Sequence, residues 1–366
     1  MENLLDMYRC TPRQIAKFMV RCLAAGVVCN IVGSPGIGKS SIGHQVAKRW
    51  NLFLIDHRLS TSAPEDLSGL PRFNEKGEAV FAPFAELFPL EDTPIPNGYD
   101  GWLLFLDELT SAKEEVQAAA YKLILDHMTG QRRLHPRCLI VCAGNLLTDR
   151  AIVNPLSTAM QSRMCNLEMM INFDEWLLDV ALPQKWDERI IGFLNEDNGR
   201  LMDFDPQKAT EEKNFNCPRT WEFMNRFMTN PDGTPVKYEL TMDRGREIYT
   251  MEDETPMFAG TITSGSAVEF VQFTKVYHNM PLIKDILRNP LGTPVPLDQT
   301  TRWAITSRMV ANMSEENFPK LAKYADRMDL GFRALFYRGV LANDAGFRHH
   351  PDFAQAATEL YKYLFI

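Results

Sequence analysis

The chain has 366 residues, of which 45% are hydrophobic and 23% charged, and its formal net charge is −8. That length accommodates two or three domains with full cores. The acidic balance argues against a broad nucleic-acid-binding surface, although a local basic groove remains compatible with it.

Seven cysteines, Cys10, Cys22, Cys29, Cys138, Cys142, Cys165 and Cys217, form no C-x-x-C pair, and several sit in apolar runs. Their odd number and scatter predict reduced, buried thiols rather than disulfides or a zinc site. The start, Met1 to Asp6, carries early acids and lacks the basic and apolar regions of a signal peptide. No apolar run approaches membrane-spanning length. The expected location is the cytoplasm, with no membrane association.

In chain order, Thr11-Pro12 predicts a helix start, with the helix running to about Ala25 and ending at Gly26. Val27 to Val32 is a short run rich in β-branched residues and reads as a buried strand. It leads into Gly33-Ser34-Pro35-Gly36-Ile37-Gly38-Lys39-Ser40, a complete G-x-x-x-x-G-K-[ST] loop. Ser41 to Trp50 then places Ile42 and Val46 on one helical face. Strand, glycine loop and helix together bring backbone N–H groups and a helix N-terminus onto a polyphosphate.

A second strand is predicted at Phe53–Asp56, and a hairpin over residues 71–81 turning at Lys76-Gly77. Trp102–Leu106 reads as a third buried strand. Ser111-Ala112-Lys113-Glu114 has the form of a capping box opening a helix with Val116, Ala120, Leu123 and Ile124 on one face. Further strands are expected at Leu139–Ala143 and Cys165–Ile171. The alternation predicts an α/β fold with a parallel sheet up to about residue 172. Beyond it helical periods dominate, with 231–260 polar and loop-like, and Asp298 capping a helix through Trp303 and Met309.

Two strand ends carry candidate chemistry. Trp102–Leu106 ends in Asp107-Glu108, and carboxylates at a sheet end need a partner. Seventy residues or so after a phosphate loop, they read as Walker B acids: Asp107 holding Mg²⁺ through its water shell, Glu108 polarising the attacking water. Without the loop, the same acids would equally suit a helix cap. Leu139–Ala143 ends in Gly144-Asn145. Asn145 could hydrogen-bond the γ-phosphate or the water, although Gly-Asn is also a common turn pair. In the loop, Lys39 would reach the β/γ-phosphates and Ser40 would ligate Mg²⁺; the binding set runs from Gly33 through Ser34, Pro35, Gly36, Ile37, Gly38, Lys39 and Ser40 to Ser41.

Taken together, the loop, Asp66 to Pro71, Asp107-Glu108, Ala143-Gly144-Asn145, Asp149-Arg150, Leu156 to Arg163 and Cys217 to Trp221 resemble an AAA+ ATPase of the MoxR/dynein-related branch, of bacterial or phage type. The resemblance covers roughly residues 10–225. It implies an AAA+ α/β domain over 1–172, a helical lid over 173–230 and a mostly helical extension over 231–366. It implies that Arg163 is an arginine finger reaching a neighbouring subunit's γ-phosphate, that Arg219 is a sensor 2 arginine contacting its own subunit's nucleotide, and that Arg150 is either a second trans arginine or structural. It also implies a hairpin at about 71–83 that could face a central pore, and a short Met128–Pro136 segment in place of a long pre-sensor hairpin.

The function so implied is a Mg²⁺-dependent, hexameric, ring-forming ATPase with ATP as its nucleotide. It would remodel or mature a partner protein, as MoxR-like chaperones do, commonly with a von Willebrand A-domain partner. Two other readings remain open: a nucleic-acid motor or nuclease-partner NTPase, and a nucleotide-gated assembly scaffold with little turnover. His349-His350 reads as a surface pair, and Asp56 and His57 as packing and capping residues.

Overall fold

The computed structural model describes residues 9–84, 87–149, 154–207, 213–230, 236, 251–277, 281 and 283–364. Ten strands are found among them: β1 (Arg9–Cys10), β2 (Val28–Val32), β3 (Leu52–Arg58), β4 (Leu70–Phe73), β5 (Ala79–Ala82), β6 (Gly101–Asp107), β7 (Met128–Thr129), β8 (Arg132–Arg133), β9 (Cys138–Gly144) and β10 (Met164–Met169). Six of them form one sheet in the order β1-β10-β2-β9-β6-β3, with every pairing parallel. Parallel pairing needs crossover segments that cover the faces, so the central strands are buried on both sides. All seven residues of β6 are buried.

The chain divides into two units: residues 1–171 with 205–207, and residues 172–204 with 208–366. In the first, α1 (Pro12–Ala24) begins at the predicted cap. The Thr11 hydroxyl accepts from Gln14 N, and Gln14 Oε1 accepts from Thr11 N. Helix α2 (Lys39–Arg49) follows the glycine loop and buries Ile42 and Val46. The predicted hairpin is present as β4 and β5, antiparallel, with Gly77 at φ 76° in its turn. Leu70, Phe73 and Phe81 on it are exposed. The 128–136 segment is a two-residue-per-strand hairpin, β7 with β8.

One expectation is corrected in this unit. The Ser111–Glu114 capping box does not form. Ser111 ends a 3-10 turn (Leu109–Ser111), and α4 (Glu114–Asp126) has Lys113 at its N-cap with no side-chain cap. Buried Gln117 donates to the carbonyls of Leu109, Ala112 and Asn154 instead, fixing the turn from within. Arg9–Cys10 also pairs in parallel with β10 as an edge strand, which no pattern in the sequence singled out.

The second unit is helical. Phe193 on α7 (Glu188–Glu196), Trp221 on α8 (Pro218–Phe227), Phe258 on α9 (Thr255–Ala259) and Phe270 on α10 (Ser264–Tyr277) are buried with mutual ring contacts. Helix α9 lies in a stretch expected to be loop. Asp298 caps α12 (Gln299–Ala311) as expected, its Oδ1 accepting from Thr301 N. Helix α12 packs on α7 and on α14 (Leu330–Asn343). Arg308 of α12 also pairs with Glu188 of α7 through its guanidinium, at 2.5 Å.

Candidate active site

Strand register determines which residues meet. Val32 of β2 pairs with Gly144 of β9, and Leu106 of β6 pairs with Cys142 of β9. The phosphate loop, Asn145 and Asp107-Glu108 therefore leave three adjacent strands at the same, carboxyl end of the sheet. In open α/β sheets that end, where the chain turns to opposite sides, is where ligands bind. Gly33 N donates to Gly144 O at 3.3 Å, which extends the β2–β9 pairing into the loop.

Within the loop, Gly36 and Gly38 have φ of 77° and 101°. Gly38 is the N-cap of α2, and at φ 101° an L side chain would be strained. The loop can thus turn its N–H groups toward the start of α2, an anion-favouring arrangement. Lys39 Nζ donates to Gly33 O at 2.6 Å, Ser34 O at 3.0 Å and Asn145 Oδ1 at 3.0 Å. Pro35 and Ile37 complete the loop, with Ile37 buried, and Ser41 is exposed on the first turn of α2.

Ser40 Oγ donates to Asp107 Oδ2 at 2.7 Å. A hydroxyl and a carboxylate in contact form the hard-oxygen donor set that Mg²⁺ prefers, so these residues suit that ion. Glu108 takes a left-handed backbone conformation at φ 59°. Its carboxylate Oε2 accepts a hydrogen bond from the Ser60 hydroxyl. Asn145 is held by its backbone: its N donates to Thr110 Oγ1 at 2.8 Å, and Thr110 Oγ1 donates to Asn145 O at 3.1 Å.

Three residues here carried no role in the sequence reading. Ser60 lies in a Ser-Thr-Ser run after β3, where no pattern separates one hydroxyl from the next. Thr110 is buried behind Asn145. Asp149 is 5% exposed; its Oδ1 accepts from Ser34 Oγ at 3.3 Å, and its Oδ2 has no partner among the described residues. Burial raises the Asp149 carboxyl above its ordinary range, opposed by the Ser34 hydroxyl and the Lys39 charge. Partial desolvation, then the Asp107 charge, raises Asp56, although its side chain reaches solvent. Burial lowers His57, whose Nε2 lies 2.9 Å from Ser62 Oγ, in keeping with packing and capping.

Within the first unit, Arg163 is not brought to this cluster. Arg150 lies outside the described residues. Arg219 is the exposed second residue of α8 in the second unit. Arg163 directly precedes β10, whose first residue, Met164, pairs with Val28 at the start of β2. It therefore sits at the amino end of the sheet. Four strand steps, about 13 Å, separate it from the loop's end of β2. Its guanidinium instead meets Tyr121 and Ala159 O.

Residues 29–166 match the family described as ATPase family associated with various cellular activities (AAA). This segment is an AAA ATPase domain. It makes the chain an ATP hydrolase with a nucleotide-binding P-loop on a parallel sheet, as the sequence predicts. Among solved structures, the chain is similar to a candidate ATPase from Cytophaga hutchinsonii, at 12% identity and a TM-score of 0.34, over 96% of this chain and 88% of that one. No curated protein matches the chain. All seven cysteines are free thiols, and six of them are buried. Among the described residues no cluster of three or more His, Cys, Asp or Glu could hold a metal, and no helix is long and apolar enough to cross a membrane.

Proposed function

We propose that the chain is a Mg²⁺-dependent, ring-forming ATPase that uses ATP hydrolysis to remodel or mature a partner protein, in the manner of MoxR-like chaperones. The observation that carries this reading is the placement of charge. Lys39, Ser40, Asp107, Glu108 and Asn145 gather at one end of the sheet, while Arg163 sits at the other. An arginine at that remove cannot serve its own loop, so a catalytic arginine there requires a second copy of the chain. The hairpin aromatics Phe73 and Phe81, exposed to 77% and 48%, offer apolar contact to a polypeptide.

In this reading the loop N–H groups and Lys39 bind the β- and γ-phosphates, and Ser40 and Asp107 hold the metal. When bound, Mg²⁺ neutralises charge on the terminal phosphates and orients them for in-line attack. Asn145 aligns the water. The Glu108 carboxylate takes the proton from that water as its oxygen bonds to the γ-phosphorus and the bond to the ADP oxygen breaks. Arg163 of a neighbouring subunit balances the charge on the transferred group, and Arg219, from the lid at 173–230, contacts its own subunit's nucleotide. A hexamer in the cytoplasm and a von Willebrand A-domain partner are the associated proposals.

The test is electron microscopy of the full chain with a slowly hydrolysed ATP analogue, paired with turnover measurements across protein concentration. Closed rings, and turnover per subunit that rises with assembly, are expected. Full-rate hydrolysis by a monomer overturns the ring reading. Strong, salt-sensitive stimulation by DNA overturns the protein-partner reading.

A further inference from the structure

We infer that Tyr121 is a positioning residue for Arg163: its hydroxyl fixes the guanidinium in the pose from which it serves a second copy of this chain. This rests on the trans role proposed above for Arg163 and adds the residue that makes the arginine competent.

Arg163 Nη1 donates to Tyr121 Oη at 2.6 Å and to Ala159 O at 3.0 Å, and its Cζ lies 5.7 Å from the Tyr121 ring centroid. The two bonds involve a single nitrogen. Nε and Nη2 make no hydrogen bond among the described residues, and no carboxylate there pairs with the guanidinium. An exposed arginine with one nitrogen pinned and two donors uncommitted is a prepared fork for a tetrahedral anion such as a phosphoryl group. Arginine side chains carry large rotamer entropy, and a pinned one loses less on reaching its target.

Tyr121 can act as a fixed support. It lies on α4, whose Val116, Ala120, Leu123 and Ile124 are buried in the core of the first unit. Tyr121 itself packs half-buried against that core. Tyr121 and Arg163 line one cavity of about 290 Å³ together with Gly26, Val28, Leu125 and His127, at the amino end of the sheet. The support and the arginine therefore come from different elements, α4 and the turn into β10. Their contact sets the arginine's direction independently of its own backbone.

The test uses the full chain assembled with ATP. Tyr121→Phe keeps the ring and removes the hydroxyl. Turnover is expected to fall roughly ten- to hundredfold with KM for ATP unchanged, the loss of one hydrogen bond to a charged group. Arg163→Ala falls on the order of 10³-fold. Adding Tyr121→Phe to Arg163→Ala should slow the enzyme no further, because the tyrosine acts only through the arginine.

Mixed assemblies separate this inference from the reading beneath it. Arg163→Ala mixed with Glu108→Gln should recover turnover, since one subunit supplies the base and the other the arginine. No recovery overturns the trans role. Tyr121→Phe mixed with a large excess of Glu108→Gln should return the Tyr121→Phe sites to the wild-type rate, because nearly all of their arginines then come from subunits with an intact tyrosine. Sites that stay slow in that mixture show damage within the subunit and overturn the positioning role. Wild-type turnover by Tyr121→Phe alone, with the Arg163→Ala mixture still complementing, overturns it too.

Discussion

The Ser60 hydroxyl donates a hydrogen bond to the Glu108 carboxylate, linking the segment after β3 to the acid that ends β6. Glu108 has a left-handed backbone, and this contact holds its carboxylate from the neighbouring segment. Ser60→Ala removes the donor and leaves the acid in place. Steady-state kinetics should show kcat lower by roughly threefold to tenfold, with KM for ATP unchanged and Ser60→Thr close to wild type. Unaltered kcat in the alanine variant would show that the contact has no bearing on turnover.

Glu108→Gln keeps the shape and the acceptor oxygen but loses the proton acceptor. Nucleotide affinity, measured by titration with a fluorescent ATP analogue, should change little, while turnover drops by roughly 10²- to 10⁴-fold. Retained turnover would move the base elsewhere in the site.

Gly144 is required by close approach. A Cβ there would lie 2.6 Å from Thr110 Oγ1 and 2.7 Å from its Cγ2. Thr110 is buried and holds both backbone groups of Asn145, so it has little room to give way. Gly144→Ala is expected to cost about 1–3 kcal/mol in urea unfolding and to slow turnover by displacing Asn145. A stable, fully active variant would show that Thr110 can repack.

Asp149 gives a pH-dependent outcome. Burial lifts its carboxyl above the ordinary value of 3.8. Between that value and the raised one, the folded state keeps a proton that the unfolded state has released, so this group's contribution to stability declines as pH rises through the window. Asp149→Asn has no such proton. Its melting temperature should match wild type below the window, gain on it through the window, and remain higher at neutral pH. Parallel melting curves from pH 3 to 8 would contradict the assignment.

Much of the first unit was legible because its signals are local. The Thr11-Pro12 cap, the apolar runs at β2, β6 and β9, and the glycine loop each act within a few residues, and parallel pairing then brings their ends together. What stayed hidden depends on contacts distant in sequence. Ser60 matters because β3 lies beside β6, and nothing in Ser-Thr-Ser singles it out. The Ser111 box looked sound in sequence, yet Gln117 and Asn154 claim the surrounding carbonyls from farther along the chain. Arg163 was legible as a residue type in a motif, but its position just before β10, at the amino end of the sheet, emerges only from strand register.

The sheet's two borders bear on whether other chains can add to it. On one side β1 carries Arg9, whose Nε is paired with Glu168 Oε1 at 3.0 Å. On the other, β3 pairs only with β6 among the described residues, and Asp56 and Arg58 are exposed near its end. A border carrying charged side chains is a poor template for edge-to-edge strand addition and so for aggregation. Charged borders of this kind leave any contact between copies of the chain to side chains rather than to backbone.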